Sequence, residues 1–189
     1  MATLYIIAAG KSLWQQEQRI ESPAGSPLAE GAAEEVRRWA AELTGRGIEA
    51  VYTGPGEQEI ATAEILAAVL DAKARVEEDL HEMDFGLWQG LLANEIKRRQ
   101  AKVYKLWTES PSAVRPPEGE TMAQAQQRLG EAMKALVRKH KDESLLVVLR
   151  PMALALVRCL LDGLTLDTVR SKVLEEFTWA SYEMDSREL

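Results

Sequence analysis

The sequence predicts an α/β protein, a three-layer α/β/α sandwich around a mostly parallel central sheet. Two short, continuously apolar runs, Leu4–Ala8 and Leu145–Leu149, have the character of strands buried on both faces, the pattern of parallel sheets covered by helices. A third strand candidate, Ile48–Tyr52, is separated from the first by Leu28–Arg46, where Ala32, Val36, Trp39 and Leu43 recur at helical spacing. Strands alternating with helices imply this layered arrangement.

Each element has its own local reason. Gly45 and Gly47 can stop the first long helix. Ile60, Ala63, Leu66, Ala67 and Leu70 mark the next one. Thr121-Met122-Ala123-Gln124 has capping-box form, so a helix is expected from there to about Lys139. Its apolar face would be Ala125, Leu129, Ala132, Met133, Leu136 and Val137. Pro151, just past the Leu145–Leu149 strand, suits the first position of a further helix. The stretch from about 83 to 120 is less regular, with a helix near Asn94–Gln100 and prolines at 111, 116 and 117. It reads as an excursion over the pocket within one domain spanning 1–189, a length that suits one domain and a substantial core.

Composition removes several classes of function. The hydrophobic fraction of 46% and charged fraction of 28% are those of an ordinary globular protein. A formal net charge of -7 and a pI near 5.1 argue against nucleic acid as a partner, since phosphate backbones reward basic surfaces. Cys159 is the single cysteine and lies in an apolar run, so a buried thiol and no internal disulfide are expected. No apolar stretch reaches the roughly 18–20 residues of a membrane helix, and the first residues lack the features of a signal peptide. A cytoplasmic protein without a membrane partner is expected.

In open α/β sheets, ligands bind beyond the carboxyl ends of the strands, near helix N-termini. That pattern places the pocket at Ala8–Lys11, Thr53–Gln58, Leu80–Asp84 and Leu149–Met152. Five segments around these positions share an order and a spacing. They are Leu4–Ala8 with Ala9-Gly10, Tyr52-Thr53-Gly54-Pro55 with Ala61-Thr62-Ala63-Glu64, Glu82 through Leu91, Pro116 through Thr121, and Leu145–Leu149. Together they resemble the histidine phosphatase superfamily, the phosphoglycerate mutase-like proteins, from Leu4 to about Leu164.

The resemblance implies a phosphoglycerate mutase-like fold and a particular chemistry. A histidine at the end of the first strand attacks a phosphate ester, two arginines and a second histidine hold the phosphoryl oxygens, and a carboxylic acid protonates the leaving oxygen. In this chain Ala8 stands where the resemblance puts the first arginine and Ala9 where it puts the nucleophile. Gln58 stands at the second arginine, Arg150 at the second histidine and Pro151 at the glycine that follows it. Glu82 keeps the identity of the acid, while Lys11 and Gln89 depart from glutamates. Gly10, Ser12, Trp14, Arg19 and Pro27-Leu28 remain compatible. Alanine offers no nucleophile, and losing even one oxyanion donor costs about 10²–10³ in rate. A degenerate member without the catalytic histidines, and so without catalysis, is the expectation.

Other residues give little to replace that chemistry. His81 adjoins Glu82, but neighbours in an extended segment point apart. His140 ends a helix in Arg138-Lys139-His140-Lys141, where positive charge complements the dipole, so both histidines read as surface or cap residues. Asp84 and Glu82 lack companions at metal-ligand spacing, so neither a metal nor another cofactor is expected. Arg150 has two readings: it pairs with Glu82 inside the vacated space, which is preferred, or it forms an anion site with backbone N–H groups and Lys11 or Arg19. The ligand-binding candidates are therefore Gly10, Lys11, Arg19, Glu82 and Arg150. Trp14, Trp88 and Trp107 either cover the cleft or, preferably, belong to the core, and Glu17 and Glu21 read as solvated. Three functions follow: a pseudoenzyme binding an anionic small molecule or a protein partner, an enzyme with a changed mechanism using Glu82 and Arg150, or a structural, homo-oligomer-forming module.

Overall fold

The computed structural model describes residues 1–185. In chain order its elements are β1 (Ala2–Ala8), α1 (Leu13–Gln16), α2 (Ala32–Leu43), β2 (Ile48–Thr53), α3 (Glu57–Leu70), β3 (Lys73–Val76), α4 (Ala93–Arg99) and α5 (Ala101–Glu109). Then follow α6 (Met122–Lys139), β4 (Ser144–Leu149), α7 (Pro151–Leu161), α8 (Val169–Leu174) and β5 (Trp179–Met184), with short 3-10 turns between. One sheet has the order β3-β2-β4-β1-β5. Its first four strands run parallel, and β5 lies antiparallel on β1. The fold is thus α/β with a mostly parallel sheet, as the apolar runs predict.

Side-chain alternation divides the strands between two cores. Leu4, Ile6, Leu145, Val147 and Leu149 pack toward α6 and α7 in one cluster. Tyr5, Ile7, Leu146 and Val148 pack toward α2 and α3 in the other. This is why β1 and β4 read as unbroken apolar runs: both of their faces are buried. At the N-terminus of α6 the Thr121 side chain accepts from the Gln124 amide and Gln124 returns the bond, so the capping box forms where the sequence places it. Pro151 occupies the first turn of α7.

Two strands escape the sequence reading because both are edges. All four residues of β3 are exposed, and its charged Lys73 and Arg75 discourage further strand pairing. Strand β5 is half-buried, without a continuous apolar run. Between β3 and α6, the backbone of Asp84–Leu87 is clasped to that of Pro117–Glu120. Leu87 N donates to Pro117 O and Glu120 N to Asp84 O, both at 2.9 Å. The Glu120 carboxylate also accepts from Asp84 N and makes a two-point pair with Arg128. A side chain on Gly86 (φ +51) would strike Pro117 O at 2.1 Å, so this clasp requires glycine.

Register sets up the site. Ala8 pairs with Leu149, and Thr53 with Val148. Ala9, Gly54 and Arg150 therefore emerge side by side at the carboxyl edge of the sheet. Because Leu146 is fully buried in the central strand, Leu146→Ala should cost about 2–5 kcal/mol in urea unfolding. Val76→Ala on exposed β3 should change stability by no more than about 0.5 kcal/mol in the same measurement.

Candidate active site

Strand β1 ends by handing its backbone to its neighbours. Ala9 N donates to Leu149 O at 2.9 Å, and Gly10 N donates to Thr62 Oγ1 of α3 at 2.9 Å. A Cβ on Gly10 would lie 2.8 Å from Leu28 and 3.0 Å from Val36, so Gly10 serves close packing rather than a ligand. Ser12 then caps α1, and its hydroxyl donates to Glu21 Oε1 at 2.5 Å.

Arg150, at the N-cap of α7, is completely buried (0% exposed). Nη1 donates to Ser22 O at 2.6 Å and Nη2 to Pro23 O at 2.8 Å. Nη1 also lies 3.6 Å from Glu21 Oε2, and Nε lies 3.2 Å from Glu59 Oε1. The Nε approach makes no aligned hydrogen bond, so Glu59 acts on Arg150 as a charge. Gln58, buried at the start of α3, accepts from Ser26 N at 3.3 Å, and Glu57 N donates to Ala24 O at 3.0 Å. Segment 22–26 is thereby strapped across Gln58 and Arg150.

Arg150 does pair internally, but Glu82 is not its partner, which corrects the preferred expectation. Glu82 instead accepts from Met83 N and Ala153 N at 2.8 Å and from Met152 N at 3.0 Å. The first amides of α7, the natural place for an anion, are filled by a carboxylate of the chain itself. Backbone donors satisfy Glu82 well enough that it needs no guanidinium. Glu21, expected to be solvated, is also buried, because the hydroxyl of Ser12 and the charge of Arg150 receive it.

Two buried carboxylates, Glu21 and Glu59, thus flank one guanidinium, and a third, Glu82, is buried close enough to act on both of them. Burial pushes the Glu59 carboxyl up to about 7, with Arg150 and the Gly56 amide opposing and Glu82 and Glu21 adding to the rise. Glu21 is raised too, chiefly by burial, against its bond from Ser12 and the charge of Arg150.

Over this buried layer lies an open cleft of about 320 Å³, floored by Ala8, Ala9, Leu149 and Pro151. Trp39 of α2, Leu154 of α7 and Phe177 before β5 supply apolar walls. Of the five ligand-binding candidates only Lys11 lines it. Gly10, Glu82 and Arg150 are engaged elsewhere, and Arg19 pairs with Glu17 at 2.6 Å while donating to Gly90 O. Arg150 therefore presents no donor to an anion in the cleft. Trp88 and Trp107 stack edge-on in the core at 6.1 Å, and the Trp14 ring underlies Gly90. His81 bonds the Glu82 carbonyl through Nδ1. His140 is a buried cap rather than a surface residue, held by the Tyr52 hydroxyl at 2.8 Å and Glu143 at 2.6 Å. Among the described residues no three His, Cys, Asp or Glu side chains are grouped to hold a metal ion, and no helix is long and apolar enough to cross a membrane. Sequence reasoning missed Phe177 and the α8 segment, and it placed Trp39 only on a helix face. These groups meet across distant parts of the chain.

Comparison with known proteins agrees with this architecture. The sequence matches the histidine phosphatase superfamily (branch 1) over residues 4–188. The chain belongs to that superfamily, whose phosphoglycerate mutase-like fold it shares. It is similar to phosphoserine phosphatase 1 of Hydrogenobacter thermophilus, with 22% identity over 99% of this chain and 89% of the relative. It is also similar to bifunctional protein Rv2228c of Mycobacterium tuberculosis, with 32% identity over 70% of this chain but only 36% of that protein. Among solved structures, YhfR of Bacillus stearothermophilus superimposes with a TM-score of 0.85 at 27% identity, over 90% of this chain and 85% of its own. A histidine-to-alanine mutant of phosphoserine phosphatase from Entamoeba histolytica, in complex with phosphoserine, superimposes with a TM-score of 0.78 at 17% identity, over 90% and 85% of the two chains.

The buried cluster makes stability depend on pH. Glu59 has a folded value of about 7 against an ordinary value of 4.5, so the folded state holds its proton more tightly. Its contribution is complete below about pH 4.5 and is lost as pH rises through about 7. Unfolding free energy should therefore fall across this window by at most about 1.4 kcal/mol per pH unit for one proton, and Glu59→Gln should flatten the slope in urea titrations. Arg150→Ala, which strips the shared cation from Glu21 and Glu59, should cost about 3–5 kcal/mol at pH 7 by the same method.

Proposed function

We propose that this chain is a non-catalytic member of its superfamily, a pseudoenzyme that uses the family scaffold for binding. One observation carries the reading. The two side chains standing where the resemblance puts an arginine and a histidine around phosphate, Gln58 and Arg150, are both turned into the 22–26 strap. Ala8 and Ala9 contribute only methyl groups to the cleft floor. Among the described residues no His, Ser, Thr or Cys side chain lines the cleft to act as a nucleophile, and of its two lysines Lys172 is held by Glu175.

The phosphoserine bound to a histidine-to-alanine mutant in Entamoeba histolytica shows why one alanine would be a weak argument. That protein holds phosphoserine with one histidine gone. The argument for this chain rests on all four positions together and on the buried geometry of the two that are not alanine. An altered mechanism through Glu82 and Arg150 finds no support in that geometry, since both side chains are buried and neither lines the cleft. A binding role is supported by the cleft, which stays open above the buried layer.

The test is hydrolysis of p-nitrophenyl phosphate, phosphoserine and 3-phosphoglycerate by the purified chain. No turnover above buffer is expected. Turnover that survives repeated purification and disappears in a folded Glu82→Gln variant would overturn the reading. Ala9→His should also remain inactive with these substrates, because the restored imidazole would face no phosphate-holding donors.

A further inference from the structure

Independently of the non-catalytic reading, we infer that a second pocket binds a small carboxylate whose apolar body is about the size of one aromatic ring. The pocket lies where α5 and α8 meet the first turns of α6 and α7, and it shares only Val173 with the cleft over Ala8 and Ala9. Buried Met122, Met152 and Pro111 and the half-buried Trp107 give it apolar walls. The remaining wall is one face of α8, where Arg170, Val173 and Leu174 recur at a spacing of three and four residues. Leu174 is 73% exposed, more than any other large apolar side chain among the described residues, so a body bound beside it takes apolar surface out of water. A volume of about 130 Å³ suits a single ring or a short branched alkyl group, since an apolar cavity of about 150 Å³ accepts benzene. The flexible thioethers of Met122 and Met152 can adjust to either shape.

The charge on the wall selects the head group. Arg170 is the one charged residue lining the pocket, and its guanidinium has no ion pair, hydrogen bond or ring contact among the described residues. The neighbouring cations are taken, since Lys172 and Arg158 both hold Glu175. Two carboxylates lie close to the wall without lining it. Asp167, three residues before Arg170, accepts from the Ser112 hydroxyl at 2.6 Å and forms no ion pair among the described residues. Glu82, bonded to the Met152 amide, is satisfied by that N–H group and those of Met83 and Ala153. A head group at Arg170 therefore meets one positive charge and no lining acid. The planar fork of a guanidinium matches one carboxylate in both charge and shape. A phosphate monoester brings about two negative charges against that one, and an ammonium is repelled by it.

The experiment is an NMR titration of the whole chain at neutral pH with phenylacetate, 2-phenylethanol, phenethylammonium and acetate. It follows the Met122 and Met152 methyl groups, the Trp107 indole and, for the other cleft, the Ala8 and Ala9 amides. Phenylacetate should produce saturable shifts at Met122, Met152 and Trp107 and leave Ala8 and Ala9 in place. Acetate, with no ring to bury, should produce none. Arg170→Gln should weaken phenylacetate binding about fivefold and leave any binding of 2-phenylethanol unchanged. Absence of saturable phenylacetate shifts at the two methionines would overturn the inference. So would equal phenylacetate affinity in the Arg170→Gln protein, or phenethylammonium binding at the same methionines as tightly as phenylacetate.

Discussion

The site depends on the burial of one guanidinium. A charge taken out of water is tolerated only when partners surround it, and Arg150 draws those partners from two separate parts of the chain, 21–23 and the start of α3. Ser22 and Pro23 give carbonyl oxygens, Glu21 and Glu59 give charge, and β4 and α7 supply its own backbone position. A histidine could not span these groups. The arginine stem and its planar fork of donors reach two carbonyls and two carboxylates together. Backbone closes around that fork because glycine allows it. A Cβ on Gly56 would fall 2.9 Å from the guanidinium carbon, and one on Gly25 (φ +72) would lie 2.8 Å from Gln58 Oε1.

Glu82 follows from the same constraint. With Arg150 already between Glu21 and Glu59, a third carboxylate beside it would lack a cation of its own. It is stabilised instead by the Met83 amide and by the start of α7, where the Met152 and Ala153 N–H groups converge on it, a geometry matched to the positive end of a helix dipole. Any anion approaching this helix end competes with a carboxylate that is covalently attached and already desolvated. That competition separates the site from an ordinary anion pocket, although the strand, turn and helix beneath it are arranged as such pockets are.

Much of this was legible in the sequence where physical demands are local. β1 and β4 announce themselves because strands buried on both faces must be apolar throughout, and α6 because Thr121 and Gln124 form a cap with each other. The register that brings Ala9 beside Arg150 follows once those strands are paired. The partners of Arg150 were not legible. Glu21 and Glu59 sit among ordinary polar neighbours, and nothing in their local pattern marks them as buried. Only the fold brings both to one guanidinium. β3 and β5 were missed for the opposite reason: edge strands are half in water, so their composition resembles that of loops.

The scaffold is indifferent to the sign of the charge it holds. Sheet order, the tight contact at Gly10 and the clasp between Gly86 and Pro117 depend on shape and on backbone hydrogen bonding. None of them requires a cation at the carboxyl edge. Ala8, Ala9, Gln58 and an inward-turned Arg150 stand at that edge with those constraints satisfied. Beside the buried Glu21, Glu59, Glu82 and Arg150, the cleft has a shape and apolar walls set by the strands and helices that line it.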